Sequence, residues 1–329
     1  MGATLSGLFP HAPEFTESNV PDLLGKVYLI TGASGGVGQE LARLLYSRNA
    51  RVWIAARSQH KAAAAIAQIK NACPGSIGEL HFLRVDLADL ATIKPAVDQF
   101  LARESSLHVL WNNAGVMSPL WERTVPRTAQ GLEMQMGVNC VGSFLLAKLL
   151  TPLLAQTAKL HHPGAVRVVW VSSMGAELSP YTSGLPMEDV NFESGSWVPP
   201  GVRYLASKSG NFLHAVEYAR RHADDNIISV AMNPGNLDSD LWRHLPAPVL
   251  WFLRLLFLYP SVYGAYTELF AGLSPEVTPD KNGCWIAPWG VIRPIKKSLL
   301  EAARSKVEGG SGVGQEFWRW TEKQVEPYC

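Results

Sequence analysis

The chain has 329 residues, of which 47% are hydrophobic and 17% charged, and its 29 Lys and Arg against 28 Asp and Glu leave a formal net charge of +1. This composition is globular and excludes a disordered or collagen-like chain; it also lacks the clustered basic excess of a nucleic-acid-binding surface. Cys73, Cys140, Cys284 and Cys329 are widely spaced, show no metal-binding pattern, and read as thiols of a reducing compartment, so no metal site is expected.

Residues 1–22 mix proline, glycine and acids without a basic segment and apolar core. They read as an N-terminal extension of a cytoplasmic protein rather than a secretory leader. Short apolar runs then alternate with helix-length segments. Strand candidates run from Lys26 to Thr31, Arg51 to Ala56, Leu80 to Val85, Leu107 to Trp111, Val166 to Val171 and Ile227 to Met232. Between them lie helical patterns from Gly38 to Ser47, Lys61 to Lys70, Leu132 to Ala155 and Tyr204 to His222. Strands apolar throughout and separated by helices predict an α/β fold: one doubly wound (Rossmann) parallel sheet covered on both faces. A single catalytic domain over residues 1–329 is expected, with a loop insertion and a helical C-terminal extension at 298–329. The greasiest stretch, from Val249 to Tyr259 between Pro248 and Pro260, is too short to cross a bilayer. It reads as a lid or a buried helix, with membrane contact a third alternative.

The first strand runs into Thr31-Gly-Ala-Ser-Gly-Gly-Val-Gly38. Glycines between a strand and a helix let the backbone turn and approach a pyrophosphate, whose charge a helix N-terminus stabilises. Gly32, Ser34, Gly36, Val37 and Gly38 are therefore candidate dinucleotide contacts. Gly309-Gly-Ser-Gly-Val-Gly314 is as rich in glycine but follows a helical pattern, and reads as a linker. Where an acidic residue would bind the ribose of NAD, the end of the second strand carries Ala56 and then Arg57. A guanidinium pairs with a 2′-phosphate that a carboxylate would repel, so Arg57, with Ser34 and Lys61, points to NADP(H).

Tyr204 and Lys208 stand four residues apart, on one face of a helix. An ordinary phenol titrates near pH ~10, and a neighbouring ammonium is expected to lower it. Asn112-Asn-Ala-Gly115, Asn139, Ser172-Ser173 and Pro234-Gly235 follow in matching order around this pair. With the glycine loop they resemble the short-chain dehydrogenase/reductase family over about Gly25 to Ser239. The chain looks most like its retinol-dehydrogenase-like branch, to which many fungal tailoring reductases are similar. The resemblance implies Tyr204 as general acid or base, Lys208 as its modulator and a ribose ligand, and Ser173 as hydrogen-bond partner of the substrate oxygen. It further implies that Asn139 holds a water linked to Lys208, that Asp86 contacts adenine, and that Asn113 lies beside the cofactor. Ser239 stands where the family often has threonine near the carboxamide.

The two walls of the substrate site are expected in 174–203, the long segment between Ser173 and Tyr204, and in 236–260. Trp242, Trp251, Phe252 and Phe257 make the second wall aromatic. The implied partner is a hydrophobic carbonyl or alcohol. The expected activity is an NADP(H)-dependent carbonyl–alcohol oxidoreductase, against a non-redox enzyme or a cofactor-sensing protein on the same fold. A homodimer through the two long helices is implied, unless the aromatic tail around Phe317 caps a monomer.

Overall fold

The computed structural model describes residues 10–238, 250–251, 254 and 257–329. Val27–Thr31 (β1), Arg51–Ala56 (β2), Glu79–Arg84 (β3), Val109–Asn112 (β4), Val166–Val171 (β5) and Ile227–Met232 (β6) are the six predicted strands. Trp285–Ala287 (β7) and Val291–Ile292 (β8) join them in one sheet of order β3-β2-β1-β4-β5-β6-β7-β8, parallel except for the last pair. These added strands have three and two residues, too few to show a period. The strand order reverses between β1 and β4, the place where an open α/β sheet leaves a crevice at its strand ends.

Helices cover both faces, because alternate strand residues point to opposite sides. Gly36–Tyr46 (α1), Gln59–Ala72 (α2) and Ser261–Leu273 pack on the face that carries Tyr28, Ile30 and Trp111. Ile93–Leu101 (α3), Met134–Ala158 (α4), Pro200–Arg221 (α5), Lys297–Ala303 and Val313–Val325 pack on the face that carries Leu29, Trp53 and Trp170. In chain order the last three of these helices are α6 (Ser261–Leu273), α7 (Lys297–Ala303) and α8 (Val313–Val325).

Three tryptophans lie fully buried in β2, β4 and β5, and each finds an acceptor for its indole N–H. Trp53 donates to Glu104 Oε1 at 2.8 Å, Trp111 to the Glu268 carbonyl at 2.9 Å, and Trp170 to Ser229 Oγ at 3.0 Å. α4 is long and apolar enough to span a membrane by composition, yet it is mostly buried in the protein. Within it Gly137–Gly142 winds as a π-helix, a distortion that often marks a functional site and that carries Asn139 here.

The glycine cluster at 309–314 joins α7 to α8, as expected of a linker. The aromatic tail packs on the body: Phe317 stacks on His214 of α5 at 4.5 Å, and Arg221 lies over the Trp318 ring at 4.8 Å. The pair His161-His162 is partly engaged, with His161 Nε2 at 3.2 Å from His108 Nε2. Of the stretch from Val249 to Tyr259, Trp251 is 65% exposed. Ser239, Trp242 and Phe252 lie outside the described residues.

Candidate active site

A cleft of about 1160 Å³ opens at the C-terminal ends of β1, β2, β4, β5 and β6. At one end stands the glycine loop. Gly32 holds φ +72°, a left-handed conformation open to glycine, and its Cα approaches so near that a Cβ would meet Ala114 Cα at 3.0 Å. Gly38 is closer still, since a Cβ there would stand 2.5 Å from Asn113 Nδ2 and 3.0 Å from Ala33 Cα. The loop is laced to the end of β4: Asn113 Nδ2 donates to the Thr31 carbonyl at 2.7 Å, and Thr31 Oγ1 accepts from the Ala114 amide at 2.9 Å. Asn113 thus lines the cleft and braces the loop at once.

The first helical hydrogen bond of α1 is made by the Gln39 amide to the Gly35 carbonyl at 3.3 Å. The preceding N–H groups, at Gly36, Val37 and Gly38, therefore lie in the first turn with no intrahelical partner, and all three residues line the cleft. Bare backbone at a helix N-terminus suits a pyrophosphate. Past the end of β2, Arg57 lines the same end with Ser34 and Lys61. Its side chain is 66% exposed, with Nε at 4.0 Å from Asp86 Oδ1. The residues present therefore fit a dinucleotide with a cationic corner beside Asp86.

The other end of the cleft carries Ser173, Tyr204 and Lys208. Pro200 opens α5 at its first turn, where a missing N–H is harmless, and the helix brings Tyr204 and Lys208 onto one face. Lys208 Nζ donates to the Val171 carbonyl at 2.8 Å and lies 5.7 Å from the centre of the Tyr204 ring. Gly115 leaves it room, for a Cβ there would meet Lys208 Nζ at 3.1 Å and Asn139 Oδ1 at 3.4 Å. The two serines after β5 divide their work. Ser172 Oγ donates to the Lys208 carbonyl at 2.6 Å and ties α5 to the sheet, whereas Ser173, whose Oγ accepts from the Gly175 amide at 3.0 Å, lines the cleft with Tyr204.

The expectation that Lys208 makes Tyr204 acidic is corrected. Burial pushes the phenol up to about 12, and the counteracting influence is the Ser173 hydrogen bond. Burial also pulls Lys208 down to about 8, so its charge is itself weakly held, with Cys140 and Glu268 favouring it. Taking both groups out of water outweighs their attraction at this distance. The Asn139 side chain is tied down by its neighbours. Its Oδ1 accepts from the Val116 amide at 2.8 Å, and its Nδ2 donates to the Val116 carbonyl at 3.1 Å and to Ser207 Oγ at 2.9 Å. Both amide hydrogens are taken, so the side chain is a brace behind Gly115, and it does not line the cleft.

Much of the remaining lining is apolar. Met174, Leu178, Pro199 and Val202 supply the expected wall from 174–203, and Asn236 and Leu237 are the described part of the wall from 236–260. A further wall, of Val116, Met117, Leu120, Met134 and Val138, was not anticipated. Its signal was legible: a connection of some twenty residues without a helix or strand joins β4 to α4, and loops that long inside a domain are usually functional. Glu268 was also missed. It is fully buried on α6, neither carboxyl oxygen has a hydrogen-bond partner among the described residues, and burial pushes it up to about 8 against the pull of Lys208.

Comparison with known proteins agrees with this geometry. Residues 26–184 match the short chain dehydrogenase family profile. The chain is 52% identical over 326 residues to a short-chain dehydrogenase/reductase of Phomopsis amygdali, covering 98% of this chain and 96% of that one. It is 47% identical over 324 residues to the short-chain dehydrogenase/reductase bet4 of Neocamarosporium betae, covering 98% and 92%. Among solved structures, the 3-ketoacyl-(acyl-carrier-protein) reductase of Brucella melitensis, complexed with NADH, superposes with a TM-score of 0.60 at 22% identity over 80% of this chain and 96% of that one, a likeness of fold. The chain belongs to the short-chain dehydrogenase/reductase family of nicotinamide-dependent oxidoreductases.

Proposed function

We propose that this protein is an NADP(H)-dependent oxidoreductase that interconverts a carbonyl and an alcohol on a neutral, hydrophobic small molecule. The observation that carries the reading is one cleft lined by the cationic Arg57 and Lys61, by Ser173, Tyr204 and Lys208 together, and by a group of apolar side chains. Arg57 and Lys61 would hold the 2′-phosphate, the first turn of α1 the pyrophosphate, and Lys208 the ribose next to the nicotinamide. Bound there, the nicotinamide supplies or accepts the hydride. Tyr204 exchanges the proton with the substrate oxygen, and Ser173 donates a second hydrogen bond to that oxygen as charge develops on it. The apolar wall of Met117, Leu120, Met134 and Leu178 presents no charged partner, which suits a lipophilic ketone or aldehyde over a sugar. The reading carries with it a cytoplasmic location and one catalytic unit over residues 1–329.

The test is consumption of NADPH by the purified protein across a panel of aliphatic, aromatic and polycyclic ketones and aldehydes, repeated with Tyr204→Phe. Loss of a general acid lowers the rate by about a thousandfold, while NADPH affinity stays within about twofold of the parent. A Phe variant that keeps its rate within about tenfold would require a different acid.

A further inference from the structure

The walls of the apolar end are loops, yet they are tied to the helix that bears Tyr204 by a buried polar chain outside the cleft. Arg203, the residue before Tyr204, and Glu133, at the start of α4, are both completely buried, with Arg203 Nε at 3.7 Å from Glu133 Oε1. Arg203 Nη2 donates to the Thr124 carbonyl at 3.3 Å, in the segment that follows β4. Glu133 Oε2 accepts from the Met136 amide at 2.7 Å and so caps α4, and its Oε1 accepts from Gln135 Nε2 at 3.3 Å. Gln135 Nε2 also donates to the Pro200 carbonyl at 3.0 Å, in the first turn of α5, and its Oε1 accepts from the Ser118 amide at 3.2 Å. The Glu133 amide donates to Asn191 Oδ1 at 2.8 Å, and Arg127 donates to the Asn191 and Phe192 carbonyls, each at 2.9 Å. The segment after β4, the 174–203 insertion, the N-terminus of α4 and the first turn of α5 therefore meet in one network.

This network is a poor way to gain stability. At 3.7 Å the ion pair is a contact of charges and not a hydrogen bond, and Arg203 Nε and Nη1 have no hydrogen-bond partner among the described residues. Two charges taken out of water with such incomplete satisfaction are often no better than apolar side chains of the same volume. What the pair does hold is register: one end lies a single residue from Tyr204, and the other ends lie in the two chain segments that also supply the substrate walls. We propose that Glu133 and Arg203 are positioning residues, which fix the Tyr204 hydroxyl relative to both walls of the substrate end.

The assignment rests on the redox reading for its kinetic test and on the fold alone for its second test. The informative variant of the full chain is the double substitution Glu133→Met with Arg203→Met, which removes both charges without orphaning either; Arg203→Lys is the companion that keeps the charge and loses the planar fork. With NADPH and the best carbonyl of the panel, both variants are expected to lose about tenfold in kcat, since a small misplacement of reacting groups is that costly. The NADPH dissociation constant stays within about twofold, because the glycine loop is not part of the network. Hydrogen exchange on the same proteins is expected to show about tenfold faster exchange in 118–133 and 187–194, with β1 to β6 unchanged. Exchange in the two segments that matches the parent overturns the proposal, whether or not the protein turns over any substrate. So does a parent-like kcat in either folded variant. If the double variant fails to fold, Arg203→Lys decides by the same two measurements. Absence of carbonyl-dependent NADPH consumption in the parent sinks the redox reading instead, and the exchange result then stands by itself.

Discussion

Arg57→Ala is the sharpest test of cofactor choice. The guanidinium sits past β2 with its side chain 66% exposed and its Nε 4.0 Å from Asp86 Oδ1. A charge-assisted pair of hydrogen bonds to a phosphate contributes about 1.5–3 kcal/mol. Exposure screens this one and Asp86 competes for it, which places the effect near the lower bound. At about 1.4 kcal/mol per decade, the NADPH dissociation constant should rise about tenfold. NADH carries no 2′-phosphate, and its affinity should stay within about twofold. Parallel calorimetric titrations of the parent and Arg57→Ala with both cofactors measure the difference. Raising the salt should weaken NADPH binding to the parent more than to the variant. Equal losses for NADPH and NADH would mean that Arg57 shapes the loop instead of reading the phosphate, and a parent that binds both cofactors alike would refute the NADP(H) assignment outright.

Two further substitutions probe the site from beneath. Gly38→Ala places a Cβ 2.5 Å from Asn113 Nδ2 and should push Asn113 off the Thr31 carbonyl; overpacking of this kind costs about 1–3 kcal/mol. Both NADPH and NADH affinity should fall by about tenfold or more in titrations, and parent-like affinity would show that the loop is looser than its contacts imply. Glu268→Leu should stabilise the protein, and increasingly so with rising pH. The buried carboxyl is pushed from 4.5 up to about 8 by burial, with Lys208 opposing, so between those values the folded chain keeps a proton that the unfolded chain releases. Stability of the parent therefore falls as pH rises through that window, by an amount on the order of 4 kcal/mol, and the Leu variant escapes the loss. Thermal melts at about pH 5 and pH 8 measure it; a gap that fails to widen at the higher pH would place an unseen partner on Glu268.

Much of this site was legible because its chemistry is local in the chain. The glycines at 32, 36 and 38 announce themselves by lying between a strand and a helix, and Tyr204 and Lys208 by four-residue spacing. Ser173 lines the cleft beside Tyr204, while the Ser172 hydroxyl is spent on the Lys208 carbonyl. What the sequence reading missed is not local. The wall at Met117 and Leu120 belongs to a loop, where no period distinguishes a lining residue from a surface one. The bracing role of Asn139 follows from a π-helical turn that the residues themselves do not advertise.

Taken alone, the order of residues determined six of the eight strands and the helices at 36–46, 59–72, 134–158 and 200–221, since hydrophobic period and backbone propensity act over a few neighbours and survive in any packing. Only the tertiary structure decided the protonation of Tyr204 and Lys208, the isolation of Glu268, and the pairing of Arg203 with Glu133. Each of these depends on how much water is excluded by elements distant in the chain, and exclusion of water is a property of the assembled core rather than of any stretch of it.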